Sequence, residues 1–138
     1  MAYLISEVGK ELLSDVSRFC ESQIRQKCRS WDETGEWPEE CIRQAMELGY
    51  HTFDIPEEFG GPGISRIDAA ALLEEIAKAD AGFAVTLAAS GLGLRPVLLA
   101  GDAEQKERAC GRILEGALAA FCMTEPQAGS DAAAGTVT

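Results

Sequence analysis

The sequence has 138 residues, 46% of them apolar and 25% charged, which is the composition of one ordinary globular domain. With 12 basic against 23 acidic residues its formal net charge is −11, which argues against binding to nucleic acids or anionic membranes, because both require a cationic surface. The longest uncharged stretch, residues 81–94, is shorter than the ~20 apolar residues that cross a bilayer, and the N-terminus has no signal-peptide pattern. We therefore expect a cytoplasmic protein that binds neither nucleic acid nor membranes.

The first part of the chain predicts two amphipathic helices. Apolar residues recur every three or four positions over residues 6–29, which indicates the first helix. The polar stretch WDETGE, residues 31–36, predicts a turn that contains Gly35. Pro38 suits the first turn of the second helix, and Gly49 is its expected end.

Residues 51–65 predict a fixed loop, because prolines and glycines crowd into it: Pro56, Gly60, Gly61, Pro62 and Gly63. Ser65 and Asp68 then have nearly the pattern of a capping box at the start of a third helix. This helix is apolar over most of its circumference, and Asp80 and Gly82 are expected to end it.

Residues 83–94 predict the next helix, which is almost free of charge and rich in small side chains. Small residues let another backbone or a ligand approach closely, so tight helix packing and ligand contact are both open. A separate short helical turn is predicted at residues 96–100. Asp102 and Gln105 have the spacing of a second capping box, and Gly116 is expected to end the helix that they start.

The last part of the chain differs in kind. Six apolar residues, 118–123, predict a buried β-strand, and the turn-forming sequence TEPQAGSD follows at residues 124–131. A lone strand has no hydrogen-bonding partner, so it indicates the opening of a β-rich region that this chain does not contain. The predicted organisation is a helical domain over residues 1–117 and the first strand and turn of a truncated β domain over residues 118–138.

The cysteines and the single histidine predict no metal site. Cys20 and Cys28, on one predicted helix, are ~12 Å apart, which is too far for a disulfide. We expect all five thiols to be small buried hydrophobes in a reducing compartment. One histidine with scattered thiols supplies neither a tetrahedral ligand set nor a base for nucleophilic catalysis, so His51 is expected to face solvent or to cap a helix.

The turn TEPQAGSD has the composition of a ligand-contacting loop. Thr124 and Ser130 offer hydroxyl donors, and Gly129 permits close approach by a flat or phosphorylated ligand. Asp131 is placed to accept hydrogen bonds from nearby N–H groups. A turn without any function can have the same composition, and the residues alone leave both interpretations open.

Four parts of the sequence together resemble one enzyme family. The segment FCMTEPQAGSD, residues 121–131, resembles the flavin-contacting signature of acyl-CoA dehydrogenases. The resemblance continues, in the family's order and spacing, at DETGEWP (32–38), at Leu48-Gly49 with IPEEFGGPG (55–63), and at Gln105-Lys106 with Leu114 and Gly116. It covers nearly the whole chain, from residue 6 to residue 138.

The resemblance implies an all-α fold: the N-terminal, up-and-down bundle-like helical domain of the family, followed by the start of a β domain. In the family, FAD lies between the β domain and a C-terminal four-helix bundle. The whole enzyme would oxidise an acyl-CoA to its trans-2-enoyl-CoA, as in fatty acid β-oxidation, and pass electrons to an electron-transfer flavoprotein. The resemblance also implies a homotetramer.

The resemblance assigns contacts with the cofactor to Phe121, Met123, Thr124 and Ser130. Thr124 would donate its hydroxyl or backbone N–H to the flavin ring near N5 and O4, and Met123 would contribute a backbone donor at the ring edge. Ser130 would bond the pyrophosphate, with its backbone near the pantetheine of the acyl-CoA substrate. Phe121 stands where the family often has tyrosine, which keeps the shape but loses a phenol hydrogen bond.

The helix at residues 83–94 resembles the one that lines the acyl pocket, which places Val85, Ala88 and Ala89 near the fatty tail. No residue is assigned as the catalytic base, because the family's base belongs to the C-terminal bundle and Glu125 has a structural role. The chain alone is therefore expected to be inactive. The alternatives are an acyl-CoA oxidase or flavin monooxygenase on the same scaffold, or a catalytically silent fragment or subunit.

Overall fold

The computed structural model describes residues 4–136, and within them the chain forms six α-helices: α1 (Glu7–Phe19), α2 (Cys28–Thr34), α3 (Glu39–Glu47), α4 (Arg66–Ala79), α5 (Ala81–Ala100) and α6 (Ala103–Leu114). Short 3-10 turns lie at Glu57–Phe59 and Ala132–Ala134. Among the described residues the β-type pairing is one isolated bridge, between Glu125 and Ala128. The predicted all-α helical domain is confirmed.

The long helices pack in sequence: α1 contacts α4, α4 contacts α5, and α5 contacts α6. Two apolar clusters hold them together. The larger joins α1, α3, α4 and the first half of α5, whereas the smaller joins the second half of α5 to α6 and to the loop before α4. Because α5 takes part in both clusters, its position depends on packing at both of its ends.

The first predicted helix is interrupted rather than continuous. α1 passes into a π-helical segment, Cys20–Ile24, where the Arg25 N–H donates to the Cys20 carbonyl oxygen at 2.9 Å. The Ser22 hydroxyl donates to the Arg18 carbonyl oxygen at 2.9 Å, and such competition for helix carbonyls bends helices. The spacing of apolar residues continues through this segment, so the sequence pattern does not reveal the change from α-helix to π-helix.

The turn predicted at residues 31–36 is wrong in its first part, because α2 continues to Thr34 and ends at Gly35, whose φ is 68°. An Arg29–Glu33 ion pair and a hydrogen bond from the Thr34 hydroxyl to the Ser30 carbonyl support this helix. α2 buries none of its residues, so it lacks the apolar period by which the other helices were predicted.

The predicted starts of α4 and α6 and the predicted end of α3 are confirmed. The side chain of Ser65 accepts the Asp68 N–H at 3.1 Å, and that of Asp102 accepts the Gln105 N–H at 2.8 Å, so both capping boxes form. α3 ends before Gly49, whose φ of 80° is left-handed and therefore favours glycine.

α5 is longer than predicted, because it runs through Pro96 instead of stopping before it. Leu94 and Leu98 pack into the smaller cluster on either side of the proline, which holds the helix together although Pro96 cannot donate a backbone hydrogen bond. At 20 residues, α5 is long and apolar enough to cross a membrane by length and composition alone, so the expectation of no such stretch is wrong. One such helix is weak evidence for a span, and α5 packs against α4 and α6.

One buried carboxylate ties the start of α1 to the start of α4. Asp68 is 2% exposed, and its carboxylate accepts the Ser6 N–H at 2.9 Å and the Ser6 hydroxyl at 3.0 Å. The Ser65 hydroxyl donates to the same carboxylate at 2.7 Å. Gly9 leaves room for it, because a Cβ there would overlap the carboxylate. These hydrogen bonds, those from Ser65 first, hold the pKa of Asp68 below its usual range.

His51 is buried, so the expectation that it faces solvent is wrong and the capping alternative is confirmed. Its Nε2 lies 2.9 Å from the Ile113 carbonyl oxygen in the last turn of α6 and, because a carbonyl only accepts, donates a proton there. The ring thereby fixes the loop after α3 to the C-terminal end of α6. Its Nδ1 is buried and has no hydrogen-bond partner among the described residues.

The cysteines follow the expectation only in part. Cys20, Cys41 and Cys110 are buried, whereas Cys28 is half-buried and Cys122 is exposed. Burial raises the pKa of Cys20 to about 11, which makes its thiol unreactive. In residues 4–136 no group of three or more histidine, cysteine or acidic side chains is placed to hold a metal ion.

Asp68→Ala is expected to lower the free energy of unfolding by about 2–4 kcal/mol, because N–H and O–H donors of Ser6 and Ser65 lose a charged acceptor. Urea unfolding followed by circular dichroism measures this. Asp15→Ala is the matched control, since its exposed carboxylate pairs with Arg18 on the surface and its loss should cost less than about 0.5 kcal/mol. Equal losses of unfolding free energy in the two variants would contradict a stabilising role for the buried carboxylate of Asp68.

The stability that Asp68 contributes should depend on pH. Its pKa is lower in the folded than in the unfolded chain, so the contribution is complete above the unfolded value of ~3.9 and is lost as pH falls through the folded value. The difference in stability between wild type and Asp68→Asn should therefore shrink as pH falls below about 4. Unfolding curves across this range measure it, and a difference that stays constant would contradict a role for the charge.

Candidate functional site

α5 presents an open, largely apolar groove of about 430 Å³. The groove is lined by one face of the helix and by one residue of the loop after α3: Val85, Ala88, Ala89, Gly91, Leu92, Arg95 and Asp54. Residues three and four apart share a helix face, so the three residues predicted to contact the acyl tail meet in this groove, whereas Ser130, the fourth predicted substrate contact, does not line it. Val85 is 67% exposed and Leu92 is 57% exposed, so the groove leaves apolar surface uncovered.

A neighbouring face of α5 holds the chain that follows α6. The Ala119 N–H donates to the Ser90 hydroxyl oxygen at 3.2 Å. A Cβ at Gly93 would lie 2.9 Å from the Ala120 carbonyl oxygen, so only glycine lets this backbone approach so closely. Close packing of a backbone against the small residues of α5, one of the two open interpretations, is confirmed here. Ligand contact is the other, and the groove leaves room for it.

The strand predicted at residues 118–123 does not form in this structure, where residues 117–124 have no regular secondary structure. A strand needs a partner for its N–H and C=O groups, and none pairs with it among the described residues. The segment is instead attached to α5 through Ala119. The assignment of residues 118–138 to a β domain stays a prediction, and its last two residues lie outside the part of the chain that the structure describes.

The turn predicted after this segment does form. Glu125 and Ala128 exchange two backbone hydrogen bonds, of 3.0 and 3.1 Å, and Ala128 is buried. The Glu125 carboxylate accepts the Thr136 N–H at 2.9 Å and also bonds the side-chain amide of Gln127. Glu125 therefore braces the turn from within, which agrees with a structural role.

The four predicted flavin contacts are exposed, and none of them lines the groove on α5. Phe121 is 42% and Met123 is 53% exposed, and large apolar side chains in this state are common at binding surfaces. The Thr124 and Ser130 hydroxyls have no hydrogen-bond partner within residues 4–136, and a Cβ at Gly129 would meet no atom within 4 Å. The turn thus offers two free hydroxyls beside open backbone.

Sequence analysis missed two charged residues of the groove, Asp54 and Arg95. The Asp54 carboxylate packs against α5 where Gly91 has no side chain. Arg95 lies immediately before Pro96, where the helix was expected to stop. Continuing the helix face beyond Leu92 would have found Arg95, whereas the position of Asp54 depends on the folded loop and has no local signal.

The family follows from a comparison with known sequences. Residues 6–117 match the family model described as the acyl-CoA dehydrogenase N-terminal domain. The chain belongs to the acyl-CoA dehydrogenase family. The matched range begins at the N-cap of α1 and ends just beyond α6, so it coincides with the helical part of this structure.

Two curated acyl-CoA dehydrogenases are similar over most of the chain. The probable medium-chain specific acyl-CoA dehydrogenase 2 of Caenorhabditis briggsae, a mitochondrial protein, is 33% identical over 132 residues, which are 95% of this chain and 32% of that protein. The mitochondrial very long-chain specific acyl-CoA dehydrogenase of Rattus norvegicus is 39% identical over 126 residues, 90% of this chain and 19% of that protein. The chain therefore spans a third or less of these relatives.

Several solved structures have the same helical arrangement. Butyryl-CoA dehydrogenase of Megasphaera elsdenii matches with a TM-score of 0.83 and 32% identity, over 93% of this chain and 35% of that one. The acyl-CoA dehydrogenase of Bacillus anthracis complexed with FAD matches with a TM-score of 0.80 and 29% identity, over 94% of this chain and 22% of that one. A chain from the electron transferring flavoprotein structure of Acidaminococcus fermentans matches with a TM-score of 0.85 and 30% identity, over 94% of this chain and 35% of that one.

Gly93→Ala is expected to loosen residues 117–124, because the new Cβ would press on the Ala120 carbonyl oxygen. Gly111→Ala in α6 is the control: its Cβ would meet no atom within 4 Å, so it should stabilise the helix by about 0.5–1 kcal/mol. Thermal unfolding and hydrogen exchange of the Ala119 amide measure the two effects. Equal stabilisation with unchanged exchange at Ala119 would contradict the proposed close contact.

Proposed function

We propose that this chain forms the N-terminal part of a FAD-dependent acyl-CoA dehydrogenase, which oxidises an acyl-CoA to its trans-2-enoyl-CoA. The observation that carries the proposal is the apolar groove on α5, next to the attached segment that leads into the turn at residues 124–131. The names of the relatives support it, since both are acyl-CoA dehydrogenases, and one similar structure is described as complexed with FAD.

The groove would bind the acyl tail. Val85, Ala88 and Ala89 give it an apolar wall with short side chains, which leaves the groove open along the helix. Each methylene that such a surface removes from water contributes about 0.8 kcal/mol, so a fatty tail is favoured over a polar one. The two relatives are named for different chain lengths, medium and very long, so they support no particular length for this chain.

The turn fits a flat, phosphorylated cofactor, because it combines free hydroxyls and an open glycine with exposed apolar side chains. Bound FAD would supply the acceptor for a hydride from the acyl chain. Thr124 would donate its hydroxyl or N–H near N5 and O4 of the ring, Met123 would donate its backbone N–H at the ring edge, and Phe121 would lie along the ring. Ser130 would donate to the pyrophosphate. Donors placed there stabilise the negative charge of the reduced ring.

The catalytic base and the partners complete the proposal. We assign no residue of this chain as the base and place it in the C-terminal bundle of the whole enzyme. We propose an electron-transfer flavoprotein as electron acceptor, a homotetramer as the assembly and the cytoplasm as the compartment. The similarity to a chain of an electron transferring flavoprotein structure supports the first of these.

A second candidate is a catalytically silent fragment or subunit, because no residue of this chain is assigned as the catalytic base. The two candidates differ in the full-length protein, because a dehydrogenase reduces its flavin with an acyl-CoA and a silent chain does not. An oxidase or monooxygenase on the same scaffold would be distinguished by direct reaction of the reduced enzyme with oxygen.

The isolated chain is expected to show no dehydrogenase turnover with any acyl-CoA and a dye acceptor, because it holds only one side of the cofactor site. A titration with FAD should likewise give no tight one-to-one complex. Dye reduction and the visible absorbance of the retained flavin measure these two results. Turnover above background, or one tightly held FAD per chain, would contradict the proposed division of the site.

Thr124→Val in the full-length enzyme is expected to slow reduction of the flavin by acyl-CoA more than it weakens substrate binding. Removing one donor from a charge-stabilising site typically costs about 10²–10³ in rate when the donor is fully engaged, so a loss of tenfold or more is expected. Stopped-flow reduction against substrate concentration separates the two effects. Thr86→Val is the control, since that hydroxyl donates to the Gly82 carbonyl oxygen of its own helix. Equal rates in the two variants would contradict donation from the Thr124 hydroxyl to the ring.

A further inference from the structure

The groove between α5 and α6 is lined by residues other than those of the proposed acyl groove, and it has a different character. Its volume is about 570 Å³, within the range of roughly 300–1,000 Å³ that is typical of small-molecule sites. No acidic residue lines it. Its walls combine apolar surface with three polar side chains, and they include Pro96, Val97, Ala100, Gln105, Arg108 and Arg112.

Arg108 and Arg112 form no ion pair with any of the residues 4–136, although acids are within reach along the chain. Glu104 lies four residues before Arg108 and Glu115 lies three residues after Arg112. Each of the helices α1 to α4 carries at least one ion pair at such a spacing. Neither of these two ion pairs forms in α6, and both arginines line the groove instead.

Like charges four residues apart disfavour a helix, so the sequence accepts a small loss of stability to place Arg108 and Arg112 together. Their Cβ atoms are roughly 5–6 Å apart at this spacing, and each guanidinium can donate two parallel hydrogen bonds to a phosphate. Gln105 adds a donor at the same groove. Its side-chain oxygen accepts the Asp102 N–H at 3.0 Å, which leaves its NH2 group free to donate.

We propose that this groove binds a phosphorylated small molecule with an apolar body. Arg108 and Arg112 hold two adjacent phosphates, and the body covers Pro96 and Val97. The net charge of −11 does not prevent this, because physiological salt screens charges beyond about 8 Å and the groove itself carries no acid. A free nucleotide and the nucleotide part of a coenzyme A share this chemistry.

The test is a titration of the ¹⁵N-labelled 138-residue chain with pyrophosphate, ADP and coenzyme A at constant ionic strength, followed by NMR. We expect saturable shifts confined to residues 96–112, and tighter binding of ADP or coenzyme A than of pyrophosphate, because the apolar body adds buried area. Tighter binding of coenzyme A than of ADP assigns the site to the coenzyme. The reverse order assigns it to a free nucleotide, and either order supports the proposal.

Matched variants separate this site from general charge effects. Arg108→Gln and Arg112→Gln should each weaken binding about tenfold, the loss of one charge-assisted contact. Lys106→Gln makes the same change of charge on the same helix, at a residue that does not line the groove, and should weaken binding less than about twofold.

Three results would overturn the proposal. The first is the absence of saturable shifts, or equal affinity for all three probes. The second is an equal loss of affinity in Lys106→Gln and in the arginine variants. The third is binding of an acidic peptide such as hexaglutamate with no response to pyrophosphate, which would make the groove a docking site for protein. All of these readouts are independent of flavin binding, so failure of the proposed dehydrogenase function would not be mistaken for failure here.

Discussion

The fold depends on one buried carboxylate that serves two helices. Asp68 accepts hydrogen bonds from donors at the start of α1 and at the start of α4, although 62 residues separate it from Ser6. The N-terminal ends of helices carry partial positive charge, so an ionised acceptor at two such ends favours both. α4 packs between α1 and α5, and this anchor therefore fixes the layer against which α5 lies.

α5 contributes to both grooves and holds the chain that leads into the turn at residues 124–131. One face packs into both apolar clusters, a second face holds residues 119–120, and a third remains open as a groove. Val85, Ala88 and Ala89 could be assigned from the sequence because their helix resembles the one that lines the acyl pocket of the family. The sequence could not predict Asp54, because the loop that carries it reaches α5 only in the folded chain.

The elements that could be predicted are those set by local sequence spacing, whereas elements set by contacts in the folded chain were missed. The capping boxes at Ser65 and Asp102 depend on residues three positions apart, so sequence spacing was sufficient. α2 was missed because it has no apolar period: Cys28 and Trp31 pack against the larger cluster, and polar contacts on the surface support the helix. The passage of α5 through Pro96 was missed because packing on both sides of the proline outweighs its local tendency to break a helix. The apolar pattern of residues 118–123 could not show whether a strand forms there, because a strand needs a partner strand for its backbone hydrogen bonds.

The central claim is that this sequence supplies one wall of an acyl-CoA dehydrogenase active site. The most direct measurement is an anaerobic titration of the full-length, FAD-loaded enzyme with acyl-CoAs of increasing chain length. We predict that at least one saturated acyl-CoA removes the visible absorbance of the oxidised flavin and yields the corresponding trans-2-enoyl-CoA in equal amount. A flavin that stays oxidised with every acyl-CoA, while chemical reductants still reduce it, would contradict the claim.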